Sequence, residues 1–236
     1  MDLSQTVKAV QERIAAAARA AGRDPGEITL CAATKTQTDD AIRAAIAAGV
    51  RLCGENRVQE LTAHLEANTY AGADVHFIGH LQTNKVKQVV GRVSLIHSVD
   101  SDRLLRAIEA QADKLGLVQD ILLEVNVAGE ASKGGVAPES LPALARLTQS
   151  CPHIKLRGLM AIPPVSRVPG DNRKYFSKIR NLFVDITEEM SDNQSDMDCL
   201  SMGMSADYED AIAEGATLVR VGTALFGPRP ALNSAH

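Results

Sequence analysis

The chain has 236 residues, with 25 basic and 29 acidic side chains and a formal net charge of −4. Since the lysines and arginines form no block, this charge excludes an electrostatic surface for nucleic acid and favours a binder of small molecules. The length fits one α/β barrel that spans residues 1–236 as a single domain. No apolar run reaches the ~20 residues of a membrane span, and Met1 leads into an amphipathic helix instead of a signal sequence. We therefore predict a cytoplasmic protein without a membrane partner, and expect a monomer.

The predicted elements begin with a helix, whose apolar residues recur at helical spacing from Leu3 to Ala18 and which Gly22 ends. Short apolar runs and helix-period segments then alternate along the chain. The predicted strands cover residues 28–34, 50–54, 75–79, 94–99, 120–127, 155–162, 198–202 and 217–222. Eight alternating units favour a parallel sheet closed into a (β/α)8 TIM barrel with an extra N-terminal helix. An open doubly wound sheet is the alternative fold.

Cysteine and histidine spacing gives no sign of a metal site. The four cysteines are scattered, without the CxxC pairs of a zinc site or the tight spacing of a disulfide framework, and are predicted to be buried thiols. His76 and His80 lie in a run that alternates like a strand, which separates them more than the i,i+4 ligands of a helical zinc site. We therefore expect no bound metal.

Polar side chains gather directly after the predicted strands, where a barrel of this kind builds its active face. They are Lys35 after strand one, Glu55 and Asn56 after strand two, His80 and Gln82 after strand three, Asn126 at strand five, residues 201–205 after strand seven, and Arg220, Gly222 and Thr223 at strand eight. The carboxyl ends of the strands are thus predicted to share one functional site.

Two turns rich in small residues follow strands seven and eight, the position at which such barrels typically hold phosphate. The first, SMGMS, can offer the hydroxyl of Ser201 or Ser205 beside the free N–H groups of a helix start. The second, VGTALFG, repeats this arrangement around Gly222 and Thr223. Each could be only a tight turn, but as neighbours they predict a phosphate cup.

Lys35 follows strand one, after the apolar run LCAA. Apolar walls lower the basicity of an amine and favour a Schiff base with a carbonyl, although a solvated lysine at a strand end is the alternative. A lysine of this kind opposite a phosphate cup indicates pyridoxal 5′-phosphate (PLP), the cofactor that needs both. Arg220 is expected to face the pyridine nitrogen and keep it unprotonated, which disfavours transaminase-type chemistry. The alternative for Arg220 is pairing with an acid inside the barrel.

The chain contains the motifs GENRVQE (54–60), HFIGHLQTNK (76–85), LRGLMAIPP (156–164), LSMGMSADYEDAI (200–212) and VRVGTALFG (219–227), with TK at 34–35. In these motifs, and from about residue 6 to 230, it resembles the pyridoxal phosphate homeostasis proteins (the YggS/PROSC-like family). The resemblance implies a barrel like the N-terminal domain of alanine racemase, and a role in PLP supply and amino-acid balance without an established catalytic activity. The cofactor-binding residues that it implies are Lys35 as the Schiff-base lysine, Ser201, Gly222 and Thr223 at the phosphate, Arg220 at the pyridine nitrogen, and Asn56 and Met204 along the pocket.

The leading hypothesis is a carrier or regulator that captures and releases PLP through Lys35, with apo forms of PLP-dependent enzymes as candidate recipients. Alanine racemase has a second domain whose tyrosine is the base on the opposite face, whereas Tyr70, Tyr175 and Tyr208 here lie in or beside outer helices. We therefore expect no catalytic residues. The first alternative is a single-domain PLP-dependent racemase of low activity, with His80 or a water as second base. The second is a phosphosugar-type barrel enzyme whose lysine forms a Schiff base with its substrate.

Overall fold

A computed structural model describes residues 2–130, 133–166, 168–190 and 197–228. Its central element is a closed barrel of eight parallel strands that pair in sequence order, and β8 pairs with β1 to close the ring. The strands are β1 Thr29–Ala33, β2 Leu52–Glu55, β3 Asp74–Phe77, β4 Leu95–Val99, β5 Gln119–Val125, β6 Ile154–Ala161, β7 Cys199–Met204 and β8 Leu218–Val221. The predicted (β/α)8 barrel is confirmed, and the open sheet is excluded.

Helices cover the outside of the barrel. They are α1 Leu3–Ala20, α2 Asp39–Ala47, α3 Val58–Glu66, α4 Asp102–Leu115, α5 Leu141–Thr148, α6 Arg173–Met190, α7 Tyr208–Ala213 and α8 Thr223–Phe226. A 3-10 segment, Thr83–Gln88, lies between β3 and β4 in place of an α-helix. The extra N-terminal helix is confirmed, since α1 buries the apolar side chains along one face, from Val7 to Ala18, and packs on α7 and α8.

The end of β7 differs from the prediction in a way that matters for the site. The strand continues to Met204 instead of ending at residue 202, so Ser201 lies inside the strand and Ser205 follows it. Gly203 makes this path possible: its φ is +88°, and an added Cβ would lie 2.5 Å from the Cβ of Ala211. The run SMGMS therefore forms the last residues of β7 up to Met204, and the turn begins only at Ser205.

Two small apolar clusters lie inside the barrel, apart from the large core between the strands and the helices. One contains Cys31, Leu52 and Leu218, and the other contains Leu95, Leu122 and Met160. The large core takes the remaining apolar faces of the strands and the inner faces of the helices. The clusters fill only part of the lumen, and polar side chains occupy the rest.

Within the described residues, no helix combines the length and the apolar character that a bilayer crossing requires. In the same part of the chain, no three His, Cys, Asp or Glu side chains gather as a metal ion would need. The four cysteines are free thiols, three of them buried and Cys199 half-buried. Burial raises the pKa of Cys53 to about 12, so this thiol stays protonated at neutral pH.

Candidate functional site

A cavity of about 860 Å³ opens at the carboxyl ends of the strands. Small-molecule pockets typically have roughly 300–1,000 Å³, so this cavity suits a cofactor-sized ligand. It brings together six of the seven cofactor-binding residues that the family resemblance implies, which are Lys35, Asn56, Met204, Arg220, Gly222 and Thr223. Its lining is completed by Ala33, Ile78, Gly79, His80, Glu124, Lys133, Gly134, Ile162, Val165, Ser205 and Ala206.

Lys35 is held between two anchored neighbours at the end of β1. On one side, the hydroxyl of Thr34 contacts the carbonyl of Gly54 at 3.2 Å and a carboxylate oxygen of Glu55 at 2.5 Å. On the other side, Thr36 has a φ of +64°, which is rare for a β-branched residue, and its N–H donates to Glu60 Oε2 at 2.9 Å. Backbone strain of this kind persists where the surroundings enforce it, and it is common at functional sites. The strained backbone at Thr36 therefore fixes the direction in which the chain leaves β1 at Lys35.

Glu55 supports this corner from outside the barrel and does not reach the cavity. It is fully buried and accepts hydrogen bonds from Thr34 and from the hydroxyl of Tyr70, the latter at 3.0 Å. Its Oε2 has no hydrogen-bond partner among the described residues. Burial raises the pKa of this carboxyl, against the opposite effect of the two hydrogen bonds. Glu55, which was predicted at the site beside Asn56, thus supports the end of β1 at Lys35 from the outer side of the barrel.

The backbone of Asn56 packs closely against the segment that follows β3, and its side chain keeps one acceptor unfilled. A Cβ added to Gly79 would lie 2.1 Å from the carbonyl oxygen of Asn56, so only glycine allows the two backbones to approach this closely. The side-chain Oδ1 of Asn56 is buried without a partner in the described part of the structure. Buried polar atoms almost always have partners, so an unfilled acceptor at a cavity wall suits a ligand.

The two predicted phosphate turns meet at Ser205. Its Oγ accepts the N–H of Gly222 at 3.1 Å and that of Ala224 at 3.2 Å, which ties the turn after β7 to the start of α8. With both acceptor positions filled, the hydroxyl hydrogen is what Ser205 can still donate. Thr223, which is exposed in the cavity, adds a second hydroxyl beside it.

Of the seven cofactor-binding residues that the family resemblance implies, Ser201 is the one that does not line the cavity. It is fully buried in the lumen, where its Oγ contacts Arg220 at 2.5 Å and His97 at 3.0 Å. It was expected at the turn after β7, but β7 continues past Ser201 and places this side chain below the cavity floor. Of the two serines in SMGMS, Ser205 is the one that lines the cavity.

Arg220 forms part of the cavity floor. It is buried, and its Nη1 donates to the carbonyl of Ser201 at 2.9 Å while its Nη2 donates to the carbonyl of Ala161 at 3.0 Å. Burial lowers the pKa of its guanidinium, but arginine stays charged in proteins. No carboxylate among the described residues makes a hydrogen bond to Arg220. The structure therefore does not have the alternative arrangement, in which this arginine pairs with an acid inside the barrel.

Glu124 is a cavity residue that the sequence analysis missed. It lies on β5, is buried, and faces the same floor as Arg220, with Asp100 and His80 also in electrostatic range. Burial is the main reason that the pKa of this carboxyl is raised. A signal was present in the sequence, because Glu124 interrupts the apolar run DILLEVNV in phase with the lumen residue Leu122.

The family of the chain follows from this fold and from direct comparison. The profile of the alanine racemase N-terminal domain matches residues 6–230. The pyridoxal phosphate homeostasis protein of Aquifex aeolicus is 46% identical over 229 residues, which are 97% of this chain and 99% of that protein. The chain therefore belongs to the pyridoxal phosphate homeostasis proteins within the alanine racemase N-terminal domain family, which confirms the resemblance seen in the motifs.

Two solved structures are similar over nearly the whole chain. A protein of unknown function from Bifidobacterium adolescentis has a TM-score of 0.89 and 40% identity, covering 95% of this chain and 94% of that one. PipY of Synechococcus elongatus, solved with PLP bound, has a TM-score of 0.80 and 35% identity, covering 92% of this chain and 100% of PipY.

Proposed function

We propose that this chain binds PLP as a Schiff base on Lys35 and serves in the cell as a carrier or regulator of that cofactor. The observation that carries the proposal is one cavity with a lysine at the end of β1, two hydroxyls at the turns after β7 and β8, and a buried arginine on its floor. The names of the relatives, and the PLP bound in PipY, support the same ligand.

The residues present fit PLP group by group. When bound, this cofactor supplies an aldehyde that condenses with an amine, a phosphate, and a ring nitrogen. Lys35 offers the amine, Ser205 and Thr223 offer hydroxyl donors to the phosphate beside Gly222, and Arg220 offers N–H groups to the ring nitrogen. The buried Oδ1 of Asn56 is an acceptor without a partner among the described residues, at the wall of the same cavity. Met204 lines the same wall, and Ser201 acts through Arg220 instead of at the phosphate.

A role without catalysis is supported by the charge and the residues of the cavity. A permanent guanidinium at the ring nitrogen keeps that nitrogen unprotonated and makes the cofactor a weak electron sink. Tyr70, Tyr175 and Tyr208 are all absent from the cavity lining. The proposal includes release of PLP to apo forms of PLP-dependent enzymes in the cytoplasm, by a monomeric protein.

A slow amino-acid racemase is the second candidate, and a specific observation favours it. Glu124 and His80 both line the cavity that contains Lys35, so a second proton-transfer group is within the site. The raised pKa of Glu124 favours its protonated form, so this carboxyl can donate a proton as well as accept one. Turnover separates the two candidates, because a carrier binds amino acids without racemising them.

The deciding experiment is borohydride reduction of the purified protein loaded with PLP. We expect visible absorption that disappears on reduction, and a peptide mass that places the reduced cofactor on Lys35. Lys133 also lines the cavity, so Lys133→Ala is the matched control, and it should still be labelled at Lys35. A colourless protein after loading, or a label that stays in Lys35→Ala and maps to Lys133, contradicts the proposal. The phosphosugar-type enzyme would also be colourless with PLP.

A further inference from the structure

A row of polar side chains crosses the barrel lumen, where barrels of this class usually stack branched apolar residues. Its members are His76, His97, Ser201 and Arg220, all buried. The row begins on β3, at a second cavity of about 510 Å³ that opens at the opposite mouth of the barrel and that His76 lines. It ends on β8, where Arg220 lines the PLP cavity. The row therefore connects the two ends of the barrel between the two apolar clusters.

Each neighbouring pair in the row is within hydrogen-bond distance. His76 Nδ1 lies 2.9 Å from His97 Nε2, and His97 Nδ1 lies 3.0 Å from Ser201 Oγ. Arg220 Nη1 lies 2.5 Å from the same Oγ and 2.9 Å from the Ser201 carbonyl. The hydroxyl of Ser201 is thus the link between the imidazoles and the guanidinium.

The hydrogen bonds of this row must all run in one direction, from Arg220 towards His76, if every buried donor is to have an acceptor. A guanidinium can only donate, so Ser201 Oγ accepts from Arg220 and has its own hydrogen to give. The acceptor within reach is His97 Nδ1, which places the proton of His97 on Nε2 and makes it a donor to His76 Nδ1. If His97 donated to Ser201 instead, the serine hydrogen would be buried without an acceptor among the described residues. Burial lowers the pKa of His76 to about 4 and that of His97 well below its usual range, in keeping with two neutral rings.

The row holds Arg220 in one orientation. Both hydrogens of Nη1 and one of Nη2 are used by Ser201 and Ala161. The Nε–H and the other Nη2 hydrogen have no acceptor in the described part of the chain. Glu124 faces the same floor and would attract a guanidinium that was free to turn. Anchoring through Ser201 opposes that movement and leaves donors for the cavity.

We infer that Ser201 and His97 are positioning residues, which hold Arg220 against the ring nitrogen of the bound cofactor. This inference rests on the proposed function, because it requires PLP in the cavity. It assigns a role to the buried hydroxyl that does not reach the phosphate. It also explains why a polar, neutral imidazole pair lies inside the barrel beneath a cofactor site.

The test compares PLP with an analogue that carries CH in place of the ring nitrogen and is otherwise identical. Wild-type protein should bind PLP more tightly than the analogue, and this preference should fall about tenfold in Ser201→Ala and in His97→Leu, the loss expected for one charge-assisted hydrogen bond. Ser201→Thr keeps the hydroxyl, and His97→Asn keeps an acceptor near the position of Nδ1, so both should retain the preference. Ser205→Ala should weaken both ligands equally, because both carry the phosphate.

Three results separate this inference from the proposed function. If wild-type protein binds neither ligand, the proposed function fails. If it binds PLP with Lys35 labelled but shows no preference over the analogue, or if Ser201→Ala keeps the full preference, only the positioning role is overturned. Nitrogen-15 spectra of the cofactor-free wild-type protein provide a measurement without variants. His97 should be protonated on Nε2 alone, and a proton on Nδ1 would overturn the direction assigned to the hydrogen bonds of the row.

Discussion

Replacing Ser205 by alanine should remove a single hydrogen bond to the phosphate of PLP. Both acceptor positions of its Oγ are filled by the N–H groups of Gly222 and Ala224, so the hydroxyl hydrogen is the donor that is lost. A hydrogen bond to a charged group contributes about 1.5–3 kcal/mol, equivalent to roughly tenfold or more in affinity. The variant also frees those two N–H groups, which can turn to the phosphate and recover part of the loss. We therefore expect PLP to bind about tenfold more weakly, at the lower end of this range.

The assay for Ser205→Ala is a pair of absorption titrations, one with PLP and one with pyridoxal, which lacks the phosphate. The dissociation constant for PLP divided by that for pyridoxal should rise about tenfold in this variant, since pyridoxal has no phosphate and loses no hydrogen bond. Ser201→Ala is the matched control, because its effect passes through Arg220 to the ring that both ligands share, and its ratio should stay at the wild-type value. Equal weakening of PLP and pyridoxal in Ser205→Ala, or a changed ratio in Ser201→Ala alone, would refute the placement of the phosphate.

Three further predictions concern turnover and pH. Wild-type protein incubated with single enantiomers of alanine in deuterated water should racemise them more slowly than about 1 s⁻¹, the low end of enzyme turnover; chiral analysis measures this, and a faster rate would favour the racemase. Arg220→Glu should keep the ring nitrogen of bound PLP protonated, which makes the cofactor a stronger electron sink. Exchange of the Cα proton of a bound amino acid, measured by mass, should therefore be faster than in wild type. An unchanged rate in a variant that still binds PLP would contradict this role of Arg220. Burial raises the pKa of Glu55 in the folded protein, so the stabilising contribution of its protonated form is complete below the ordinary glutamate pKa and is lost as the pH rises through the raised folded pKa. The melting temperature of Glu55→Gln minus that of wild type should therefore increase as the pH is raised from acid. A difference that stays constant with pH would contradict the expected titration of this carboxyl.

The barrel could be predicted from the sequence because its signals are local. Each strand is a short apolar run, and each helix has apolar residues at a period of 3.6. In α1, for example, the residues that are buried from Val7 to Ala18 recur at this spacing in the sequence. Eight repeats of this alternation leave few topologies. Lys35, Asn56 and Thr223 could also be placed, because a residue that follows a strand of a parallel barrel must lie at the same mouth as the others.

Side-chain direction at the strand ends could not be predicted in the same way. The difference between Ser201 and Ser205 depends on where β7 stops, and that point is decided by the bend at Gly203 against α7. Glu55 was expected near the chemistry, but it turns outward to Tyr70, whose position depends on the fold of the α3–β3 connection. A shift of one residue in a strand exchanges its two faces, so sequence spacing alone leaves such assignments open.

The sequence by itself determined the fold class, the mouth of the barrel at which the polar strand ends gather, and the placement of a lysine opposite two turns of small residues. Only the tertiary structure decided which groups meet there, because His97 on β4, Ser201 on β7 and Arg220 on β8 are far apart in the chain and come within hydrogen-bond distance through barrel closure. Glu124 joins them from β5 for the same reason. The hydrophobic pattern that closes the barrel acts over a few residues, whereas the hydrogen bonds across its lumen depend on the shared register of all eight strands.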